Sequence, residues 1–327
     1  MSNKHFTDEF VEEIQKNDSI SEQEKNIVLR NLAKLKDSKV NVLVTGATGC
    51  GKSSTINALF NTNKAKVGQG SNPETMDIAK YELDNIILHD TPGLGDGKEA
   101  DIRHSKAIID KLNELDGATK SPLIDLVLVI LDGSSRDLGT SFELINQVII
   151  PNLGNDKNRL LIAINQADMA MKGRYWDYLH NKPEAKLVEF LNEKIESTKK
   201  RIKEATGVDV EPIYYCAGYK DGDAVQNPYN LSKLFAYMLR HTKIEKRALY
   251  IQDINKQEEM WKDDEDLKKH QAEIKKSVMD SVIESASNGA DIGGNIGAIF
   301  GKGGEVVGKV IGAVCGGVVG FFKGLFG

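Results

Sequence analysis

One octapeptide restricts the fold of this 327-residue chain more than any other feature. Gly46-Ala47-Thr48-Gly49-Cys50-Gly51-Lys52-Ser53 follows the apolar run Val40-Asn41-Val42-Leu43-Val44 and precedes the helix-like Ser54-Thr55-Ile56-Asn57-Ala58-Leu59-Phe60. The glycines let the backbone curl so that successive N–H groups point inward, and the helix behind them adds the positive end of its dipole. The product is an anion cradle between a strand and a helix, the phosphate-binding loop pattern Gly-x-x-x-x-Gly-Lys-Ser. In such a loop Lys52 reaches the outer phosphates of a nucleotide and Ser53 holds a magnesium ion, with residues 46–54 around the phosphates. A chance Gly-rich turn is the bland alternative, and the flanking strand and helix argue against it.

Two later segments bear on which nucleotide. Asn85-Ile86-Ile87-Leu88-His89-Asp90 reads as a buried strand ending in an acid, followed at once by Thr91-Pro92-Gly93. Leu160-Leu161-Ile162-Ala163-Ile164 leads likewise into Asn165-Gln166-Ala167-Asp168. A carboxylate at Asp168 can accept from both N1–H and the exocyclic amine of guanine, a donor pair adenine does not offer. Polar discrimination of this kind is large because the wrong base leaves buried groups unpaired. As isolated turn residues after a strand, Asn165 and Asp168 would mean little. Their order behind the phosphate loop and the Asp-Thr-Pro-Gly segment gives them weight.

These segments resemble the Asp-x-x-Gly and Asn-Lys-x-Asp motifs of GTPases, with Gln166 in place of Lys. The resemblance implies that Asp90 contacts Mg2+, that the Gly93 N–H senses the γ-phosphate, and that Gln166 covers part of the base with its stem. It also implies a magnesium-binding threonine in the first switch. Thr75, in Ser71-Asn72-Pro73-Glu74-Thr75, is the candidate, with Thr62 as its nearest competitor. Cys216-Ala217-Gly218, after the strand Pro212-Ile213-Tyr214-Tyr215, stands where the family often has a base-capping Ser-Ala-Lys, and only the Ala is shared. Residues 39–242 are thus similar to the translation-factor-related GTPases, the group containing Era, EngA, the septins and bacterial ribosome-binding-type GTPase domains. Gly51-Lys52-Ser53-Ser54-Thr55-Ile56-Asn57-Ala58-Leu59-Phe60 and Pro73-Glu74-Thr75 look most like the Era-like members. The implied fold is α/β: a doubly wound, mostly parallel six-stranded sheet with one antiparallel edge strand.

Hydropathy points to the same fold. Apolar runs at 40–44, 86–89, 124–131, 160–164 and 212–215, and an alternating strand at 76–83, are interspersed with helical stretches at 100–115, 140–149, 184–205 and 230–241. That is the pattern of strands covered on both faces. Gly117 and Gly207 are expected helix stops. Residues 1–38 read as one or two helices, with Phe10, Val11 and Ile14 on one face and Ile27, Val28, Leu32 and Leu35 on the next. Residues 243–288 form a charged helical tract with a thin apolar stripe, either a projecting arm or a helix pair folded back on the sheet.

Hydrolysis carries a warning. The position after Gly93, where Ras-like enzymes place a water-orienting Gln, is Leu94, and the P-loop Asn of potassium-dependent relatives is Gly49. Lys52, Thr75 and Gly93 remain as the groups to stabilise the transferred phosphoryl. Slow turnover, raised by self-association, is the expectation. Arg136 could act across a dimer, although Arg136 and Asp137 read more simply as ordinary loop charges.

Composition restricts the surroundings. The formal net charge is −5 and no basic tract is concentrated, so no specific nucleic acid is expected. Cys50, Cys216 and Cys315 fit neither a zinc pattern nor a disulfide framework, which suits a reducing cytosol. Cys50 reads as a small residue tolerated in the loop, with a thiol pKa open to lowering by the helix N-terminus. The acidic start of the chain is unlike a signal peptide.

The second strong signal is at the other end. Glycines recur at 289, 293, 297 and 301, then at 304, 308, 312, 316, 320 and 324. Each interior glycine costs a helix about 1 kcal/mol against alanine, so something must pack closely on them. Only thirteen residues separate Lys309 from Lys323, roughly 20 Å of helix against about 30 Å of hydrocarbon. A membrane-inserting or oligomerising glycine-zipper hairpin over 289–327, a docked tail and a flexible extension all stay open, and Val306, Val307, Val318, Val319, Phe321 and Phe322 weigh against the last.

The combined expectation is a GTP-hydrolysing switch whose nucleotide state governs that tail. The expected partners are GTP and GDP with Mg2+, a second copy of the chain, and membrane lipid through residues 289–327. The location would be cytoplasmic, peripheral at the inner face of a membrane. A membrane-acting or assembly effector with negligible turnover, and a ribosome-associated assembly GTPase, are the alternatives.

Overall fold

The computed structural model describes residues 5–16, 21–60, 66–68, 78–95, 97–220 and 226–287. Thr62, Thr75 and the glycine-rich tail therefore lie outside the described residues.

Strands β1 (Val40–Gly46), β2 (Lys66–Gly68), β3 (Ala79–Glu82), β4 (Ile86–Asp90), β5 (Leu126–Asp132) and β6 (Leu160–Asn165) precede a small hairpin, β7 (Trp176–Asp177) and β8 (Lys182–Pro183). With β9 (Ile213–Tyr214) they form a sheet ordered β2-β3-β4-β1-β5-β6-β9, the hairpin standing apart. Pairing is parallel from β4 to β9 and antiparallel at β3–β4 and β2–β3. The mostly parallel sheet stands, with two adjustments. The antiparallel strand β3 is not the edge, because the three-residue β2 pairs outside it and makes the sheet seven-stranded.

Helices sandwich this sheet. They are α1 (Phe6–Lys16), α2 (Glu22–Asp37), α3 (Lys52–Leu59), α4 (Lys98–Asn113), α5 (Gly139–Glu143), α6 (Ile150–Asn152), α7 (Ala185–Thr206), α8 (Leu231–Arg240), α9 (Tyr250–Asp253) and α10 (Leu267–Ser287). Side chains of a strand alternate between faces, and here both faces are dry. Leu126, Leu128 and Ile130 join one apolar cluster while Val127, Val129 and Leu131 join the other. That is why β5 reads as an unbroken apolar run. The first cluster takes in α1, α2, α3, α8, α9 and α10, and the second takes in α4, α5, α6 and α7. Among the described residues no helix is long and apolar enough to cross a membrane.

Local signals set the boundaries. Ser21 and Glu24 form a reciprocal capping box at the start of α2. Gly207, at φ +73°, ends α7 as its position suggests. Gly117 does not end α4, which stops at Asn113 with Glu114 as its cap. The predicted 140–149 helix is three pieces, α5 and α6 joined by a π-helical stretch Leu144–Ile149.

Residues 243–287 do not project as an arm. Helix α10 packs on α2 and α8, burying Ile274, Val278 and Val282 in the same cluster as Phe10, Ile14, Val28 and Leu32. Trp261 is buried edge-on to Phe235, at 5.8 Å between ring centres, and donates Nε1–H to Asn255 O. The two ends of the described chain thus share one helical layer over the P-loop face of the sheet.

His89, on β4, is buried and donates Nε2–H to Asn41 Oδ1 at 3.1 Å. Burial, with Lys111 and Lys80 nearby, pushes its pKa down to about 3. A folded pKa below the unfolded value of 6.5 gives stability that is present above pH 6.5 and lost as pH falls toward 3. Between pH 7 and 5 the loss through this one group is about 2 kcal/mol. In His89→Gln, urea unfolding at the two pH values should differ by about that much less than in the parent; an unchanged pH dependence would assign the acid sensitivity elsewhere.

Candidate functional site

Parallel strands deliver their loops to one edge of the sheet, and the candidate residues lie there. Register pairs Val44 with Asp90, Gly46 with Ile130 and Asp132 with Asn165, so the carboxyl ends of β1, β4, β5 and β6 are level. This is the edge where ligands of open α/β sheets bind.

The P-loop turns tightly from β1 into α3. Gly46, Gly49 and Gly51 have φ of +150°, +78° and +89°, and a Cβ on Gly51 would lie 2.3 Å from Asn165 Nδ2. Lys52 Nζ donates to Gly46 O at 3.3 Å and Ala47 O at 3.1 Å, holding its charge over the loop. Ser53 is exposed at the start of α3 and Ser54 is half-buried beside it. Cys50 departs from expectation: burial outweighs Lys52 and the helix N-terminus, and pushes the thiol up to about 11.

The segment after β4 is zipped to this loop. Thr48 N–H donates to Leu94 O at 3.0 Å and Leu94 N–H to Gly46 O at 3.4 Å, with Ala47 and Leu94 bridged in parallel. The Thr48 amide, expected among the phosphate donors, is therefore committed to Leu94 in this arrangement. Leu94 is itself buried, 4 % exposed. Gly93 lies so close that a Cβ there would stand 2.1 Å from Thr48 Oγ1, 2.4 Å from its Cα and 2.5 Å from its N. Two of those atoms are backbone, so Gly93→Ala should cost about 1–3 kcal/mol and lift this segment off the P-loop. Hydrogen exchange at the Thr48 amide should then accelerate relative to core amides; unchanged protection would mean the loop absorbs the methyl.

Asp90 fits a cation. Its Oδ1 is buried without a hydrogen-bond partner among the described residues, a costly state for a carboxylate oxygen. Burial pushes its pKa up to about 6, and Lys52 pulls the other way. A hydrated Mg2+ held between Asp90 and the Ser53 hydroxyl would satisfy the orphaned oxygen and favour the ionised form.

At the carboxyl end of β6, Asn165 clasps three loops. Its Nδ2 donates to Cys50 O and its Oδ1 accepts from Ala217 N, both at 2.9 Å, while its own carbonyl accepts from Gly133 N at 2.7 Å. Asn165 is thus engaged within the protein as a positioning residue. Gln166, at φ +59°, donates Nε2–H to Gly49 O at 2.8 Å, so its side chain reaches over to the P-loop. Asp168 is buried two residues on, its Oδ1 accepting the Cys216 thiol at 2.9 Å. Burial and the neighbouring Asp168 hold that thiol well above its ordinary pKa, so it stays a neutral donor.

Four participants belong to none of these motifs. Gly133 is required because a Cβ would lie 2.4 Å from Asn165 O. Gln226 Nε2 donates to both Ser54 O and Ala217 O at 3.0 Å, tying the loop after β9 to α3. Thr55 Oγ1 and the Tyr215 hydroxyl share a buried hydrogen bond of 2.6 Å beneath them. Only the glycine directly after an apolar run ending in Asp132 was a usable sequence signal.

Residues 41–166 match the family described as 50S ribosome-binding GTPase. Over those residues the chain carries a GTPase domain of that type. No curated protein matches the sequence. Among solved structures, this GTPase domain is similar to Toc33 of Arabidopsis thaliana with GDP and Mg2+, 17 % identical over 70 % of this chain and 94 % of that one, TM-score 0.42. The G domain of the T. maritima FeoB iron transporter is 20 % identical over 62 % of this chain and 98 % of that one, TM-score 0.35. LeoA, a bacterial dynamin GTPase from ETEC, is 14 % identical over 93 % of this chain and 45 % of that one, TM-score 0.39.

Proposed function

We propose that the protein binds GTP with Mg2+ and hydrolyses it to GDP and phosphate, and that the nucleotide state governs the tail and hence membrane association or self-assembly. The observation that carries the reading is the meeting of three chemistries at one sheet edge: a P-loop with Lys52, an orphaned carboxylate oxygen on Asp90, and the Asp168 carboxylate at the base end. Lys52 would bind the outer phosphates, Asp90 and Ser53 the metal, and Asp168 the Watson–Crick edge of guanine, with Gln166 and Cys216-Ala217 around the base. Bound Mg2+ would offset negative charge on the β and γ phosphates. Thr75 is the proposed switch threonine and the Era-like group the proposed kinship.

Turnover is proposed to be slow in the isolated protomer. Leu94 is buried and bound through its backbone to the P-loop, so it cannot orient a water. The same observation favours a second reading, an effector whose GTPase domain regulates the tail with negligible turnover. Phosphate release measured per protomer across a wide protein range, with and without lipid vesicles, separates them. A rate rising with concentration supports the self-activated switch, and a flat, near-zero rate with intact GTP binding supports the effector. Failure to bind GTP in the presence of Mg2+ would overturn both.

A further inference from the structure

A cleft of about 730 Å³ opens beside helix α7, walled by the loop after β5 and by residues 171–175. None of its lining residues belongs to the P-loop, to Asp90–Leu94, to Asn165–Asp168 or to Cys216-Ala217. Its charge is lopsided. Six cations line it against a single acid, Glu193, in a chain whose net charge is −5.

One of the six has a structural task. Lys194 Nζ donates to Gly133 O at 2.7 Å and Ser135 O at 2.6 Å, pinning the loop that carries Arg136. The other five, Arg136, Lys172, Arg174, Lys186 and Arg201, are exposed and have no ion-pair partner among the described residues. Grouping like charges in this way is unfavourable unless an anion joins them. Two are already positioned on rings. Lys186 Nζ lies 4.7 Å from the Tyr175 ring centre and donates to its hydroxyl at 3.1 Å, and the Arg201 guanidinium lies 5.4 Å from the Phe142 ring centre. Less is then lost in ordering them around a ligand.

We propose that this cleft binds a small ligand bearing two or more phosphate groups next to a flat or apolar portion. The cations engage the phosphates and the half-buried faces of Phe142, Tyr175 and Phe190 take the remainder. The volume is that of a small-molecule site. Either a soluble organic phosphate or a phosphorylated lipid headgroup presents this chemistry. The inference is independent of which nucleotide the P-loop takes.

The test uses the full chain saturated with GDP, titrated calorimetrically with inorganic tripolyphosphate, and floated with phosphatidylcholine vesicles with and without phosphatidylinositol bisphosphate. The expected result is one further tripolyphosphate per chain, weakened about tenfold or more by joint substitution Arg174→Glu and Lys186→Glu, with GDP affinity unchanged as the check on folding. Lys52→Ala should leave this binding intact. Extra flotation conferred by the phosphoinositide and lost in the double variant identifies a headgroup, whereas tripolyphosphate binding without it identifies a soluble phosphate. No binding at about 1 mM, or binding lost in Lys52→Ala and kept in the double variant, overturns the proposal.

Discussion

Lys52→Ala is expected to remove measurable GTP binding while leaving the fold intact. The Lys52 ammonium lies over the P-loop on the Gly46 and Ala47 carbonyls, and no other cation among the P-loop residues shares its position. Truncating one member of a hydrogen-bonded, desolvated charge pair costs about 2–5 kcal/mol, which is about 30-fold to several thousand-fold in affinity. Its two bonds in the protein are to part-buried carbonyls, and Gly46 O keeps the Leu94 N–H as a donor without it, so thermal unfolding should move little. Fluorescent-nucleotide titration reads the first quantity and calorimetry the second. A variant that still binds GTP within about threefold of the parent would place the triphosphate elsewhere.

Asp168→Asn should exchange the base preferred. An amide donates where the carboxylate only accepted, so guanine loses two charge-assisted bonds while the 2-oxo group of xanthine gains a donor. At about 1.5–3 kcal/mol for each hydrogen bond to a charged group, GTP affinity should fall at least 100-fold as XTP binding appears. The fold should tolerate the change, because Asn Oδ1 can still accept from the Cys216 thiol that Asp168 holds at 2.9 Å. Competition between GTP and XTP for the variant decides the matter. Undiminished GTP preference would mean that Asp168 does not read the base.

Much of the fold was legible because a parallel sheet covered on both faces writes itself as apolar runs. Strand β5 could be read to within two residues at its start and one at its end, since residues 126–131 are apolar on both faces and only the terminal Asp132 breaks the run. The C-terminal helices were harder for a definite reason. Helix α10 buries polar residues together with apolar ones: Ser281 Oγ accepts the Ala248 N–H at 2.9 Å, Arg247 Nη1 donates to Ser277 Oγ at 3.4 Å, and His270 Nδ1 pairs with Asp264 at 2.7 Å. A stripe read by hydropathy alone looks too thin to dock. The candidate site divides in the same way. Residues whose chemistry is local, such as the P-loop glycines, announce themselves by spacing. Gln226 and Tyr215 act through contacts spanning more than 150 positions, and no local pattern encodes such a contact. For Cys50 the sequence displays the helix N-terminus but not the burial, and burial is the larger influence on the thiol.

Helix α9 ends in Asp253, whose carboxylate accepts the backbone N–H groups of Asp84, Asn85 and Ile86 at 3.0, 2.6 and 3.0 Å. Those residues lead into β4, and β4 ends at Asp90. At its far end, α10 is held by Asn31 Nδ2, which donates to Ala286 O at 2.9 Å, just before the chain enters its glycine-rich tail. Mechanically, the tail is rooted in the same layer of helices that grips the amino end of the strand carrying Asp90. A load borne by that layer meets the start of β4 through the Asp253 carboxylate, the bonds of Asn85 to His5, Lys36 O and Ser38 O, and the packing of Ile86 and Leu88, and then runs along a single five-residue strand to Asp90.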